Sequence, residues 1–268
     1  MKQNENIYIS HNTVTNRRMF TGIHFHDDYE IYFLLDGNTN YFIGDEIFHI
    51  HPGSFVFIPR GILHKTDSEN CLTNERFLIN ADISVFDNDI QNIILELSRE
   101  RVVYIAKSDM NLFKDIIYKT ETEYNSHNEF RYALLRSYIS ELFVMIYRKK
   151  HPYKPKLSEA EEIIQNVSEY ISSNFDKKLT LAALSKKFAV SACYLSRKFK
   201  AVSGIGLNEY ITYVRITNAE KILKNEAVSI TDTALRCGFN DSNYFSGVFK
   251  KIKGITPLKY AQDYRKSM

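Results

Sequence analysis

The 268-residue chain has no tryptophan, three cysteines, and no apolar stretch long enough to cross a bilayer. Crossing takes about 20 consecutive apolar residues, and the longest runs here, such as Leu142–Tyr147, fall far short. The first residues, MKQNENIYIS, lack the basic segment and apolar run of a secretory leader. The expected compartment is the cytoplasm, with no membrane partner. Cys71, Cys193 and Cys237 form neither a CxxC pair nor an even framework, which argues against a disulfide scaffold or zinc finger and for reduced thiols. With 44% hydrophobic and 25% charged residues, the composition carries no bias toward disorder or a coiled coil, and the length suits two globular domains. The small net charge of +3 hides an asymmetry. Residues 155–268 hold 18 Lys and Arg against 11 Asp and Glu, a net of +7, whereas residues 1–154 hold 17 against 21, a net of −4. One half alone is therefore suited to a polyanion.

The pattern predicts an α+β multidomain protein. Up to about Asn80, short β-rich runs alternate with Gly, Asp, Asn and Pro, as in YEIYFLLDGNTNYFIGDEIFHIHPGSFVFIPRG. DGN and GDE read as hairpin turns, so an antiparallel barrel or sandwich of the jelly-roll kind is expected over residues 1–107. From Ser108 the period lengthens: Leu112, Ile116, Lys119 and Glu123, then Leu134, Tyr138, Leu142 and Ile146, stand three or four apart. This predicts a helical hairpin, broken near NSHNE, within residues 108–154. Its apolar stripes are most simply a dimerisation element; packing on the chain's own barrel is the alternative. After the Pro152–Lys156 linker, residues 155–268 read as about seven short helices. Ser158 with Glu161 and Ser229 with Asp232 have the spacing of N-terminal caps, and Thr180, Ser191 and Asp241 also stand before helical runs.

One helix is written twice. YLSRKFKAVSG at Tyr194–Gly204 returns 50 residues later as YFSGVFKKIKG at Tyr244–Gly254, and the echo extends to Ile205/Ile255 and Tyr210/Tyr260. Each copy follows a short helix and a tight turn, the helix-turn-helix arrangement whose second helix enters the major groove. In the first copy Leu195 and Phe199 face the core, leaving Ala192, Cys193, Ser196, Arg197 and Lys200 outward, with Ser191 at the start. Arg197 suits bidentate bonding to guanine, whereas Lys200, Lys250 and Lys251 suit phosphates. A single basic helix is more often a solvated face; duplication favours DNA. The helix between the copies, Leu207 to Lys224, would be about 26 Å long at ~1.5 Å per residue, against ~34 Å between successive major-groove faces.

YLSRKFKAVSG, the linker YITYVRITNAEKIL, CGFNDSNYFSGVFKK and the closing GITPLKYAQDYRK resemble the C-terminal domain of the AraC/XylS family of transcription regulators, collinearly from about Leu179 to Lys266. The resemblance implies two helix-turn-helix units reading adjacent major-groove segments, with duplex DNA as partner and RNA polymerase as a further partner if the protein activates. The turn before the second copy is one residue longer than the first, as in the family. Two departures stand out. Gly247 occupies a position where the family commonly has Arg, and Ile205-Gly206 stands where it has Ser-Pro or Thr-Pro. The second unit is therefore expected to lean on phosphates, with Ser242, Asn243 and Ser246 as its remaining polar readers. Cys193, on the first reading face, is read as a small packing side chain in preference to a redox switch.

In the β half, HFHDDYEIYFLLDG and GSFVFIPRGILH resemble the two signature stretches of cupin barrels, except that Ser68 stands where the family's closing Asn would be. On a strand, His24, His26, Glu30 and Tyr32 would share one face. In cupin enzymes the positions of His24, His26, Glu30 and His64 hold a metal, and three imidazoles with a carboxylate suit Fe, Mn, Ni or Zn. In AraC-type regulators the same barrel is an effector-binding domain, often without metal, whose polar residues bond a sugar or similar small molecule. The preferred reading is an effector pocket lined by His24, His26, Glu30, Tyr32 and His64, shaped by Phe25 and Phe57, with no cofactor. A metal pocket and a set of mutually satisfied polar groups are the alternatives. Two function classes follow: an effector-responsive, homodimeric transcription regulator that is not an enzyme, or a metal-dependent cupin enzyme (isomerase or dioxygenase) fused to a DNA-binding domain.

Overall fold

The computed structural model describes residues 7–15, 24–26, 28–67, 73–152 and 156–266. The extreme amino terminus, Ser68, Cys71 and linker positions 153–155 lie outside the described residues. The chain forms two compact units, residues 1–156 and 157–268.

The first unit runs β1 (Ile7–Thr15), β2 (Tyr29–Asp36), β3 (Thr39–Ile43), β4 (Glu46–Ile50), β5 (Ser54–Ile58), β6 (His64–Asp67), β7 (Thr73–Ala81), α1 (Asn88–Glu100), β8 (Val102–Ile105), α2 (Met110–Tyr124), α3 (Arg131–Lys149) and β9 (Lys150–Pro152). Six strands in the order β1-β7-β2-β5-β8-β9 form one antiparallel sheet, and β4-β3-β6 form a second. The two glycine turns behave as read: Gly37 and Gly44 take φ of 92° and 64° in the loops joining β2 to β3 and β3 to β4. Both faces of the six-stranded sheet are covered, which explains why β2 and β5 read as nearly unbroken apolar runs. One face presents Ile31, Phe33, Phe55, Phe57 and Ile79 to α1, α2 and α3. The other presents Tyr32, Leu34, Val56 and Ile58 to Tyr41, Ile43, Phe48 and Ile50 of the second sheet.

Four expectations are corrected here. Phe57 does not line the sandwich interior; period two turns it to the helix side, where its ring lies 6.5 Å from Phe143. The inward stripe of the helical hairpin is Phe113, Ile116, Ile117 and Thr120 with Leu135, Ile139, Leu142, Phe143 and Ile146, while Leu112 and Leu134 are exposed. That stripe packs on the chain's own sheet. Third, α1 was not read from the sequence, although Asp87 caps it and Ile90, Ile94 and Leu97 give it a buried face. Fourth, the residues after α3 are not all linker: β9 pairs with β8 and ends the large sheet.

The second unit contains α4 (Glu159–Ser173), α5 (Leu181–Lys187), α6 (Ala192–Ser203), α7 (Leu207–Asn225), α8 (Ile230–Arg236), α9 (Ser242–Lys253) and α10 (Pro257–Lys266). Ser158 forms a capping box with Glu161, and Thr180, Ser191, Ser229 and Asp241 each accept a backbone N–H at the start of a helix. The central α7 is 19 residues long, about 28 Å. Its Ile216, Ala219 and Leu223 join Phe239, Phe245, Phe249 and Tyr260 in one core.

Candidate nucleic-acid interface and histidine cluster

The repeated sequence is a repeated structure. Leu195 and Phe199 in α6, like Phe245 and Phe249 in α9, are fully buried. Each copy's inner phenylalanine packs on its own tyrosine, Phe199 on Tyr210 with ring centroids 5.2 Å apart and Phe249 on Tyr260 at 5.5 Å. Both helices end on a left-handed glycine, Gly204 at φ 86° and Gly254 at φ 77°, whose N–H groups bond to the carbonyls of Lys200 and Lys250. Four residues separate α5 from α6 and five separate α8 from α9, so the longer second turn is present. The αL residue is Ala189 in the first turn (φ 54°) and Gly238 in the second (φ 78°).

This packing leaves the expected reading faces outward. Ser191, Ala192, Cys193, Ser196, Arg197 and Lys200 are exposed, as are Asn243, Lys250 and Lys251, while Ser242 and Ser246 are half-buried. Ser191 also caps α6, its Oγ accepting the Tyr194 N–H at 3.1 Å. The packing role expected for Cys193 is overturned, since its side chain is exposed; the buried thiol is Cys237, and burial pushes its pKa up to about 11. Gly247 is exposed and a Cβ there would meet nothing, so the helix surface at that point is bare. Sequence reasoning passed over Tyr244, which is 62% exposed near the start of α9. Its recurrence with Tyr194 signalled a repeat and masked its exposure, with the ring 6.2 Å from that of Phe239. Ile205-Gly206 also has a visible consequence: α7 starts without a side-chain cap, whereas Thr256 Oγ1 accepts the Lys259 N–H at 3.3 Å ahead of α10.

In the first unit, His24, His26, Glu30 and His64 converge, each offering a donor atom within 4.8 Å of the others. They do so from different elements. Glu30 is the second residue of β2, whereas His24 lies outside that strand and bridges to His64 on the edge of the second sheet, so His24, His26, Glu30 and Tyr32 do not share one strand as expected. His64 pairs with Ile43 and Glu30 with Asn80, which aims both side chains into the sandwich. His26 Nε2 stands 3.1 Å and His64 Nε2 3.8 Å from Glu30 Oε2. His26 Nδ1 donates to the Asp28 carbonyl at 2.9 Å and His64 Nδ1 to that of Ile62 at 2.8 Å. Burial raises the Glu30 pKa, but the His26 hydrogen bond and the charges of His64, His26 and His24 bring it below its usual value. For His26, burial lowers and the bond to Glu30 raises, and the rise prevails. For His64, burial prevails over Glu30 and takes the pKa down to about 4.

Deeper in the sandwich, Tyr32 donates to Asn74 Oδ1 at 3.4 Å and its ring meets that of Tyr41 edge-on. Arg76, opposite Leu34, faces the same interior. His64 Nε2, Asn74 Nδ2 and Arg76 Nε are buried with no hydrogen-bond partner.

Among the described residues no helix is long and apolar enough to cross a membrane. The family model of an AraC-like ligand binding domain matches residues 6–98, and that of a helix-turn-helix domain matches residues 184–263. Over 245 residues the chain is 24% identical to the HTH-type transcriptional activator RhaR of Mannheimia succiniciproducens, covering 91% of this chain and 88% of the relative. The uncharacterized HTH-type transcriptional regulator YijO of Escherichia coli is 31% identical over 111 residues, 41% of this chain and 39% of its own. Among solved structures, the C-terminal domain of AraT, a response regulator from Geobacillus stearothermophilus, is 32% identical over 40% of this chain and 88% of that one, with a TM-score of 0.38. A ligand-binding sandwich followed by two helix-turn-helix units, each matched in sequence and built in structure, places this chain in the AraC/XylS family of DNA-binding transcription regulators and sets the enzyme reading aside.

Proposed function

We propose that this regulator reads two adjacent major-groove segments with α6 and α9, and that a hydroxylated small molecule, such as a sugar, entering the N-terminal sandwich changes its occupancy of DNA in the cytoplasm. The observation that carries the sensing half is the set of three buried polar atoms without partners, His64 Nε2, Asn74 Nδ2 and Arg76 Nε. Buried donors and acceptors are almost always paired, and a ligand bearing hydroxyls, which both donate and accept, would pair them. His24, His26, Glu30 and Tyr32 complete the polar wall around that interior. The reading half is supported by the exposed Ser191, Ala192, Cys193, Ser196, Arg197 and Lys200 on α6 and by Ser242, Asn243, Ser246, Lys250 and Lys251 on α9.

A homodimer fits the outer faces of α2 and α3, where Leu112, Tyr118, Leu134 and Tyr147 remain exposed after the inner stripe is covered. If the protein activates, RNA polymerase is a further partner. The test is selection of DNA sites from a random pool by the full-length protein, with and without a panel of sugars. Enrichment of a bipartite site whose occupancy changes with one sugar is expected; enrichment of no sequence, or of a site indifferent to every compound, would count against the reading.

A further inference from the structure

We propose, resting on the sensing function above, that the effector is a hydroxylated carboxylic acid: its carboxylate is held by Arg76 and Asn74 at the β1 edge of the sandwich interior, and its hydroxyls turn toward Glu30 and His64. The register of β7 puts both anchoring residues there. Arg76 pairs with Leu34 of β2 and with Asn12 of β1, and Leu34 belongs to the interior between the two sheets. Asn74 stands two residues away and so shares that face. It is 5% exposed; its Oδ1 accepts the Tyr32 hydroxyl at 3.4 Å, while Nδ2 has no partner. Arg76 Nε is likewise buried and unpaired. Arg76 as a whole is half-buried, and Asn12, opposite it on the edge strand, is exposed, so this end of the interior opens on solvent.

The two orphaned atoms need the same kind of partner. An amide Nδ2 and a guanidinium Nε only donate, so whatever satisfies both is an acceptor. Arg76 also carries a permanent charge, and a charge drawn out of water is paired. Its neighbouring carboxylates are engaged elsewhere. Glu75, the preceding residue, lies on the opposite face of the sheet and meets His11 at 2.9 Å, and Glu30 meets His26 at 3.1 Å. Nε and the adjacent Nη form the guanidinium edge that takes a carboxylate through two parallel hydrogen bonds. One cation balances one negative charge, which suits a carboxylate better than a phosphate dianion.

Glu30 fixes which way round such a molecule lies. It stands four positions along β2 from Leu34, the partner of Arg76, about 13 Å away at ~3.3 Å per residue. Its charge repels a second carboxylate and leaves that end to hydroxyl groups. His64 Nδ1 already donates to the Ile62 carbonyl, so its unpaired Nε2 needs a donor, which a hydroxyl supplies and a carboxylate does not.

The test titrates tag-free full-length protein, by calorimetry, with sugar acids and their neutral parents: galacturonate beside galactose, glucuronate beside glucose, gluconate beside glucitol, with glucose 6-phosphate as the phosphate arm. At least one acid is expected to bind, and its neutral parent about thirtyfold or more weakly. Arg76→Met is expected to weaken that acid by a similar factor, and Asn74→Ser by about tenfold, so the second still reads the subsite if the first misfolds. Arg99→Gln, exposed on α1, removes a positive charge elsewhere and leaves binding unchanged. Without ligand, Arg76→Met keeps the thermal midpoint of the first unit or raises it, since it removes an unpaired charge; a lowered midpoint assigns Arg76 to the fold and overturns the subsite. Equal binding of an acid and its parent, binding of the phosphate alone, no binding by any acid, or an acid bound equally by wild type and both variants also overturns it. A neutral sugar that binds and changes DNA occupancy alike in wild type and Arg76→Met overturns the carboxylate and leaves the sensing function standing. A panel in which nothing binds and DNA occupancy never changes removes both.

Discussion

Gly238 lies against the guanidinium of Arg215: a Cβ at position 238 would stand 2.9 Å from Arg215 Nη2 and 2.8 Å from the Phe175 carbonyl. Arg215 in turn donates from Nε to the Phe175 carbonyl and from Nη2 to that of Lys177, each at 2.8 Å. The second helix-turn-helix turn is thus fixed to the segment between α4 and α5 through one residue of the central helix. The reading helices are held by this lock as well as by their cores.

Gly238→Ala meets two obstacles, a φ of 78° and a clash with carbonyl oxygens that cannot rotate away. It is expected to destabilise the second unit by about 2 to 4 kcal/mol. Urea unfolding of the full-length protein, followed by a probe in that unit, reads the change; an unaltered midpoint would show that the turn relaxes freely.

Arg197 and Lys250 occupy different places on their helices and are expected to do different work. Arg197→Ala should relax base preference at one half-site by about 1 to 3 kcal/mol, while Lys250→Ala weakens all sequences alike and lowers the salt slope by about one. Binding to a matched panel of sites across a salt series separates the two. Equal loss of specificity from both substitutions would contradict the division into reading and positioning.

Two glycines offer a gain. Gly247 and Gly206 each have open space where a Cβ would go, and neither has positive φ. Gly247→Ala should stabilise α9 by about 0.5 to 1 kcal/mol, and Gly206→Ser, by supplying the cap that α7 lacks, by a few tenths of a kcal/mol. Gly247→Arg should add base preference at the second half-site. A variant set that melts with or below the wild type would show that these positions are constrained by something other than the helix itself.

Much of this was legible in the sequence, for identifiable reasons. Five of the seven C-terminal helices could be read from their starts because each cap residue named, from Ser158 to Asp241, is a short polar side chain followed by a periodic apolar run. The outward face of α6 followed from burial of Leu195 and Phe199. The histidine cluster was legible as a set of residues but not as a geometry: a period-two argument put four side chains on one strand, while the chain bends so that His24 pairs with β6. Phe57 was misplaced because β5 is buried on both faces, and an unbroken apolar run does not say which face a residue takes. The orphaned Asn74 and Arg76 could not be seen at all, since their register across β2 and β7 is a long-range fact.

His11 on β1 stands between carboxylates of β7 and α2: Glu75 Oε1 lies 2.9 Å from Nε2 and Glu121 Oε2 2.7 Å from Nδ1, with the rings of Phe77 and Tyr118 beside it. Burial lowers its pKa, but the bonds to Glu121 and Glu75 outweigh this and leave it raised. A pKa raised on folding contributes stability that is fully present below the unfolded value of about 6.5 and is lost as pH rises through the folded value. The thermal midpoint of the first unit should therefore fall as pH is raised from 6 into the alkaline range, and His11→Gln should flatten that slope. Parallel pH profiles for wild type and variant would remove His11 as the cause.

Glu30 is where the proposed sensing is expected to separate from DNA reading. It is buried, ionised by the favourable field of His26, His64 and His24, and close to the Tyr41 hydroxyl, whose pKa is raised well above its usual value first by burial and then by Glu30. Glu30→Gln keeps the shape and removes the charge, so the sandwich should still fold while a ligand oriented by the carboxylate loses its main anchor. A compound present at about 100 times its Kd stabilises the wild type by about 2.7 kcal/mol. Sugars or hydroxy acids that raise the wild-type midpoint in a thermal-shift panel are expected to leave the variant's unchanged. The second unit has its own core and its own reading helices, so DNA affinity of the variant, measured without ligand at fixed salt, should match the wild type. A variant that keeps the ligand-induced shift would remove Glu30 from the effector site, and one that loses DNA binding would show that the two units do not act as separate bodies.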